Sequence, residues 1–158
     1  MIKSKYNYFL IFYTIMSFKL CVMAQSKKVI AHVHVTNQNG IYVYNYNFKN
    51  NYNSAIWMIN LGQKLLMDPT LDAEPTKIIS PKSWTGESAW LEDSDPARFL
   101  VTWKQPELDK LKNDLILPGE LKDGFKIVLK NKSESFIRCY YTVSFVDGTE
   151  YYNFIDVK

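Results

Sequence analysis

The stretch Val29–Phe48, VIAHVHVTNQNGIYVYNYNF, decides the fold. Val29, Ala31, Val33 and Val35 alternate with Ile30, His32, His34 and Thr36, the period of two of an extended strand. Asn39-Gly40 follows, and both residues tolerate the positive φ that a tight hairpin turn demands. On the returning strand, Tyr42, Tyr44, Tyr46 and Phe48 share one face, and Ile41, Val43, Asn45 and Asn47 the other. Only one face of a sandwich strand can be core. Asn45 and Asn47 want water, so the aromatic face is the expected core. The alternative is an exposed aromatic strip that stacks on sugar rings or on a partner strand.

Outward from this hairpin the period of two persists. Ala55–Leu61, Thr76–Ser80, Ala97–Lys104 and Gly124–Lys130 read as strands. Pro81–Trp90 reads as a turn followed by an edge, and Leu115–Gly119 as a short extended piece ending in a turn. Phe136–Phe145 and Glu150–Val157 form a closing hairpin around Asp147-Gly148. The alternation stops between Gly62 and Pro75, a long connection with room for a helical turn. About eight short strands with polar turns predict an all-β antiparallel sandwich of immunoglobulin-like kind.

Residues 1–24 read differently. Lys3 and Lys5 make a basic start, Tyr8–Phe18 is apolar, and Val22-Met23-Ala24 ends in small or medium residues. The apolar run is short of the roughly 20 residues that span a bilayer. Together these features describe a signal peptide cut after Ala24, with Cys21 lipidation as the rival. The expected location is secreted or periplasmic, without membrane insertion after cleavage. Residues 25–158 are then one domain. Lys3, Lys5 and Lys19 leave with the leader, so 19 basic residues become 16 against 16 acidic ones. A net charge near zero gives no electrostatic case for nucleic acid. With Cys21 gone, Cys139 is alone and forms no internal disulfide. Alternation in FIRCYYTVSF places it on a strand as a buried small hydrophobe.

The order of features resembles a loose group of small secreted bacterial immunoglobulin-like β-sandwich proteins. The resemblance rests on Tyr42–Asn50 (YVYNYNFKN), Ser54-Ala55-Ile56-Trp57, Ser80–Gly86 (SPKSWTG), Trp90, Leu117–Phe125 (LPGELKDGF) and a late Tyr-Tyr pair. The spacer between Leu91 and Leu117 is long and charged for that pattern. The resemblance implies the fold and an exported location, and it implies no activity.

Candidate chemistry is sparse. His32 and His34, at i and i+2, point to one face and could share a metal, but a zinc site needs further ligands. The default is two strand histidines facing solvent. Trp57 and Trp103 sit in apolar strand stretches and are expected in the core. Trp84 and Trp90 lie among Pro81, Ser83, Gly86 and Ser88. They either plug the open end of the sandwich or, with Tyr42, contact a ligand. Glu87 and Glu92-Asp93-Ser94-Asp95 form an acidic cluster that lacks the glycine and distal glutamate of a helix-loop-helix calcium loop. No nucleophile elbow, phosphate loop or ordered catalytic set is present. Asn131-Lys132-Ser133 is a glycosylation sequence only in a eukaryotic host. The expectation is a non-enzymatic module without cofactor, binding a protein or, alternatively, a glycan through Trp84, Trp90 and Tyr42. A metal- or calcium-binding extracellular domain is the third reading.

Overall fold

The computed structural model describes residues 27–62, 71–91, 98–106 and 114–155. The leader and its cleavage point, Glu92–Asp95, and residues 63–70 of the long connection lie outside the described residues. Nine strands form among the described residues: β1 (Val29–Gln38), β2 (Ile41–Asn50), β3 (Ile56–Leu61), β4 (Lys77–Ile79), β5 (Thr85–Leu91), β6 (Arg98–Lys104), β7 (Leu121–Leu129), β8 (Tyr140–Phe145) and β9 (Glu150–Phe154). No helix occurs among them. One sheet runs β1-β2-β7-β4 and the other β5-β6-β3-β8-β9, with every pairing antiparallel.

The β1–β2 hairpin turns at Asn39 and Gly40, with φ of 53° and 83°. Asn37 Oδ1 accepts a bond from the Gly40 amide at 3.0 Å and steadies the turn. The aromatic ladder then enters the core. Tyr44, Tyr46 and Phe48 are fully buried, and Tyr42 at the end of the ladder is half-buried. Opposite them the second sheet brings Trp103, Tyr141 and Val143. Tyr46 meets Trp103 at 5.7 Å between ring centroids, and Phe48 meets Phe125 at 5.4 Å and Tyr141 at 5.9 Å. Edge-on and tilted contacts of this kind add to the area that the rings bury.

The sandwich is drawn together at both sides. Tyr141 donates its hydroxyl to the Val29 carbonyl at 2.7 Å, tying β8 to β1. On the other side β4 crosses so close to β5 that only glycine fits at position 86. A Cβ there would stand 2.5 Å from Ile78 Cγ2 and 2.7 Å from Ser80 Oγ. Asn50 is buried at the end of β2 with its amide fully used. It donates to Ser54 O at 2.8 Å and Ile116 O at 2.9 Å, and accepts from the Tyr52 amide at 2.9 Å.

Three details differ from the sequence reading. Phe136–Arg138 is a turn, so Cys139 precedes β8 and is not a strand residue. The amides of Ile137 and Arg138 both donate to Glu134 O, which winds the chain so that Phe136 and Cys139, three apart, both point inward. Trp57 is half-buried and outside the core, beside a register shift between Ile56 and Met58. The piece around Ile116 bonds to Ile56 through both backbone groups, at 3.0 and 3.1 Å, but it is an isolated bridge and adds no strand.

Candidate functional site

The three aromatic candidates do not converge. Trp84 is 5% exposed, its ring lies edge-on to Phe125 at 5.2 Å, and its indole N–H donates to Asp114 O at 2.6 Å. This corrects the reading of Trp84 as a binding residue: Ser83, at φ 66°, turns the chain so that the following side chain plugs the core. Trp90 is 58% exposed on β5, opposite Phe99. The two tryptophans are six positions apart along extended chain, about 20 Å. Tyr42 belongs to the other sheet, where it pairs with Leu129 and packs on the core. Trp90 alone keeps a ring face available to a ligand.

His32 and His34 face outward on β1, beside Asn47 and Asn45 of β2. Among the described residues no group of three or more His, Cys, Asp or Glu side chains is placed to hold a metal ion. Glu87 is engaged by Lys104 at 2.6 Å. Burial pushes the Cys139 thiol up to about 12, and the bond from the Gly62 amide offsets only part of this. Such a shift favours the protonated thiol at neutral pH.

Two features were not legible in the sequence. The first joins positions far apart in the chain. Tyr44 donates its hydroxyl to Ser133 O at 2.9 Å and accepts from the Ser133 amide at 2.7 Å. The hydroxyls of Ser133 and Ser135 both donate to Asp72 Oδ1 at 2.6 Å. Burial alone would raise the Asp72 carboxyl, but the two serine bonds and a backbone amide outweigh it and lower the carboxyl below its ordinary value. Beside this cluster lies an open recess of about 270 Å³ lined by Asp72, Glu74, Thr76, Lys130 and Lys132 among others. Two of its charges have local partners: Asp72 accepts from the two serines, and Lys132 meets Glu134 at 2.7 Å. Ser133 is also the third residue of the glycosylation sequence, and its hydroxyl is committed to Asp72.

The second feature is an aromatic surface on the β8–β9 hairpin. Tyr152 is 53% and Phe154 40% exposed, on the same side of β9. Phe154 stands edge-on to Tyr140 of β8 at 4.5 Å. Val146, in the hairpin turn, is exposed as well. The period of two marks these strands in the sequence, but it does not say which face is turned outward, because both carry aromatics.

Two packed antiparallel sheets of four and five strands define an immunoglobulin-like β-sandwich. Among solved structures the chain is similar to an uncharacterized protein from Nocardia farcinica whose crystal structure reveals an immunoglobulin-like fold. The TM-score is 0.50 at 14% identity, covering 78% of this chain and 81% of that one. It also aligns with a GH20 exo-β-N-acetylglucosaminidase from Vibrio harveyi in complex with N-acetylglucosamine. There the TM-score is 0.47 at 14% identity, over 84% of this chain and 18% of the enzyme. No family model and no curated protein matches the chain. At 14% identity the likeness to the Nocardia farcinica protein supports the fold alone.

Proposed function

We propose that the mature chain is a secreted or periplasmic, non-enzymatic β-sandwich module that docks a partner protein on the exterior of its five-stranded sheet. The observation that carries this reading is the β8–β9 aromatic surface. Tyr140, Tyr152 and Phe154 lie together on an outward face at the end of a sheet. Exposed aromatics in one cluster are the usual anchors of a protein interface. Export is supported by the basic start, short apolar core and Val22-x-Ala24 end of residues 1–24.

The test places a photo-crosslinking amino acid at Tyr152, and at Lys77 on the opposite exterior as control, in cells that make the protein. A defined adduct is expected at Tyr152 and lost on Phe154→Ser. Equal adducts at both positions would overturn the reading. Mass spectrometry of the exported chain should begin at Gln25; a lipid-modified Cys21 would make the protein membrane-anchored instead.

A second reading, a carbohydrate-binding module, is favoured by the exposed ring of Trp90. Retention on neutral polysaccharides that is lost in Trp90→Ala would support it, and retention unchanged in that variant would remove it.

A further inference from the structure

The outward face of the four-stranded sheet has a chemistry that the near balance of 16 basic and 16 acidic residues over positions 25–158 conceals. Its side chains form rows across the strands. One row is His34, Asn45, Lys126 and Ile79; the next is Thr36, Val43, Val128 and Lys77. His32 and Asn47 begin a third, and Lys49 follows on β2. No carboxylate stands in these rows; the nearest on the same strands is Asp123, beside the irregularity where β7 leaves its register with β2. On the other exterior, by contrast, Lys104 is held by Glu87 at 2.6 Å.

The polar groups of this face are also under-used. Asn45 Nδ2 reaches only His34 O and Val43 O, each at 3.4 Å, outside the range of a good hydrogen bond. His32 Nδ1 is buried without a partner. The buried nitrogen is out of a surface ligand's reach, but the loosely bonded Asn45 amide is a group that a ligand would complete.

We infer that this face binds an acidic polysaccharide, a carboxylated sugar chain laid across the strands. Lys77 and Lys126 would meet carboxylates. The amides of Asn45 and Asn47 and the imidazoles of His32 and His34 would meet hydroxyls. Neighbouring strands stand about 4.8 Å apart, so an extended chain crossing them meets a new side chain at each strand. A protein partner fits this face less well than the opposite exterior, because its rows carry no exposed aromatic anchor; its exposed large apolar side chains, Ile41 and Leu121, stand only at its margins. The proposal does not rest on protein docking, which uses the opposite exterior.

Affinity electrophoresis of the chain beginning at Gln25, in gels containing polygalacturonate, tests the proposal. Neutral dextran, poly-glutamate and double-stranded DNA serve as comparison gels. Retardation by polygalacturonate is expected, with little or none in the other three. The double variant Lys77→Glu, Lys126→Glu should weaken the polygalacturonate dissociation constant by at least about tenfold, and Lys104→Glu on the opposite exterior should not. Asn45→Ala, which leaves charge unchanged, should weaken it by a smaller factor, and an unchanged melting curve for each variant separates lost binding from lost fold. No retardation of the parent chain in polygalacturonate, or retardation unaffected by the double variant, overturns the proposal. Equal retardation by poly-glutamate or DNA overturns it too, because the face would then read charge and not sugar.

Discussion

The two faces of β2 carry opposite chemistry and do opposite work. Inward, Tyr44, Tyr46 and Phe48 are fully buried. Outward, Val43, Asn45, Asn47 and Lys49 remain partly in contact with solvent. The inward face also shows why the ladder is mostly tyrosine. Tyr44 and Tyr46 lie under the turn around Ser133–Phe136, and their hydroxyls donate to Ser133 O and Phe136 O at 2.9 and 2.7 Å. Phe48 lies deeper, where its ring meets those of Phe125 and Tyr141. A phenol occurs where a backbone carbonyl accepts from it, and a plain ring where it packs against other rings. The hydroxyls are therefore fasteners of a loop, whereas the outward amides are open to solvent.

The largest test of this contrast is truncation inside the core. Tyr46→Ala should destabilise by about 3–5 kcal/mol in a denaturant melt, as large-to-small core changes do. Trp84→Ala should cost a similar amount, about 3–5 kcal/mol, through the cavity it leaves beside Phe125. Trp90→Ala, at the exposed end of the same stretch, should stay within about 0.5 kcal/mol. Equal losses at Trp84 and Trp90 would break the division between core plug and surface ring.

That pair also shows where sequence reading stops. The sandwich class, the hairpin at Asn39-Gly40 and the buried face of β2 follow from period and turn chemistry alone. Trp84 and Trp90 sit in one polar stretch and look alike there. They are told apart only by the left-handed Ser83, which sends one ring inward, and by the exposed far end of β5, which leaves the other outside. Trp57 looked like core because its neighbours are apolar, and the register shift beside it leaves it only half-buried. Cys139 looked like strand because the alternation in YYTVSF extends backward by eye. The Glu134 carbonyl, accepting two amides, ends the strand first. The cluster of Asp72 with Ser133 and Ser135 was illegible because its members are 61 and 63 positions apart.

A smaller effect isolates the fastening hydroxyl from the ring. Tyr46→Phe keeps the packing and removes the bond to Phe136 O, and should cost about 1 kcal/mol, the usual net value of one buried hydrogen bond. A loss as large as that of Tyr46→Ala would mean that the turn, and not the ring, holds this part of the core. The same turn carries a pH signature. Asp72 has a carboxyl lowered below its ordinary value. Its contribution to stability is therefore full above the ordinary carboxylate range and is lost as pH falls through the lowered folded value. Asp72→Asn should flatten that part of the acid-side stability curve and leave the curve above it parallel to the parent's.

The smallest expected effect lies on the outward face, and it is the sharpest test of the contrast. Asn45 sits between Tyr44 and Tyr46 in the chain, so any shift of the β2 backbone would be felt at all three. Its amide makes only contacts of 3.4 Å, to His34 O and Val43 O, too long to contribute much. Its removal uncovers no apolar surface of the core, whose β2 members are Tyr44, Tyr46 and Phe48 with Tyr42 packed against them. Asn45→Ala should therefore change stability by less than about 0.5 kcal/mol. If instead it costs as much as a core truncation, the outward amides hold the sheet together and the faces of β2 are not independent. If it is silent in a melt yet weakens retention by polygalacturonate, the outward face is kept polar for a ligand, while the inward face alone holds the fold.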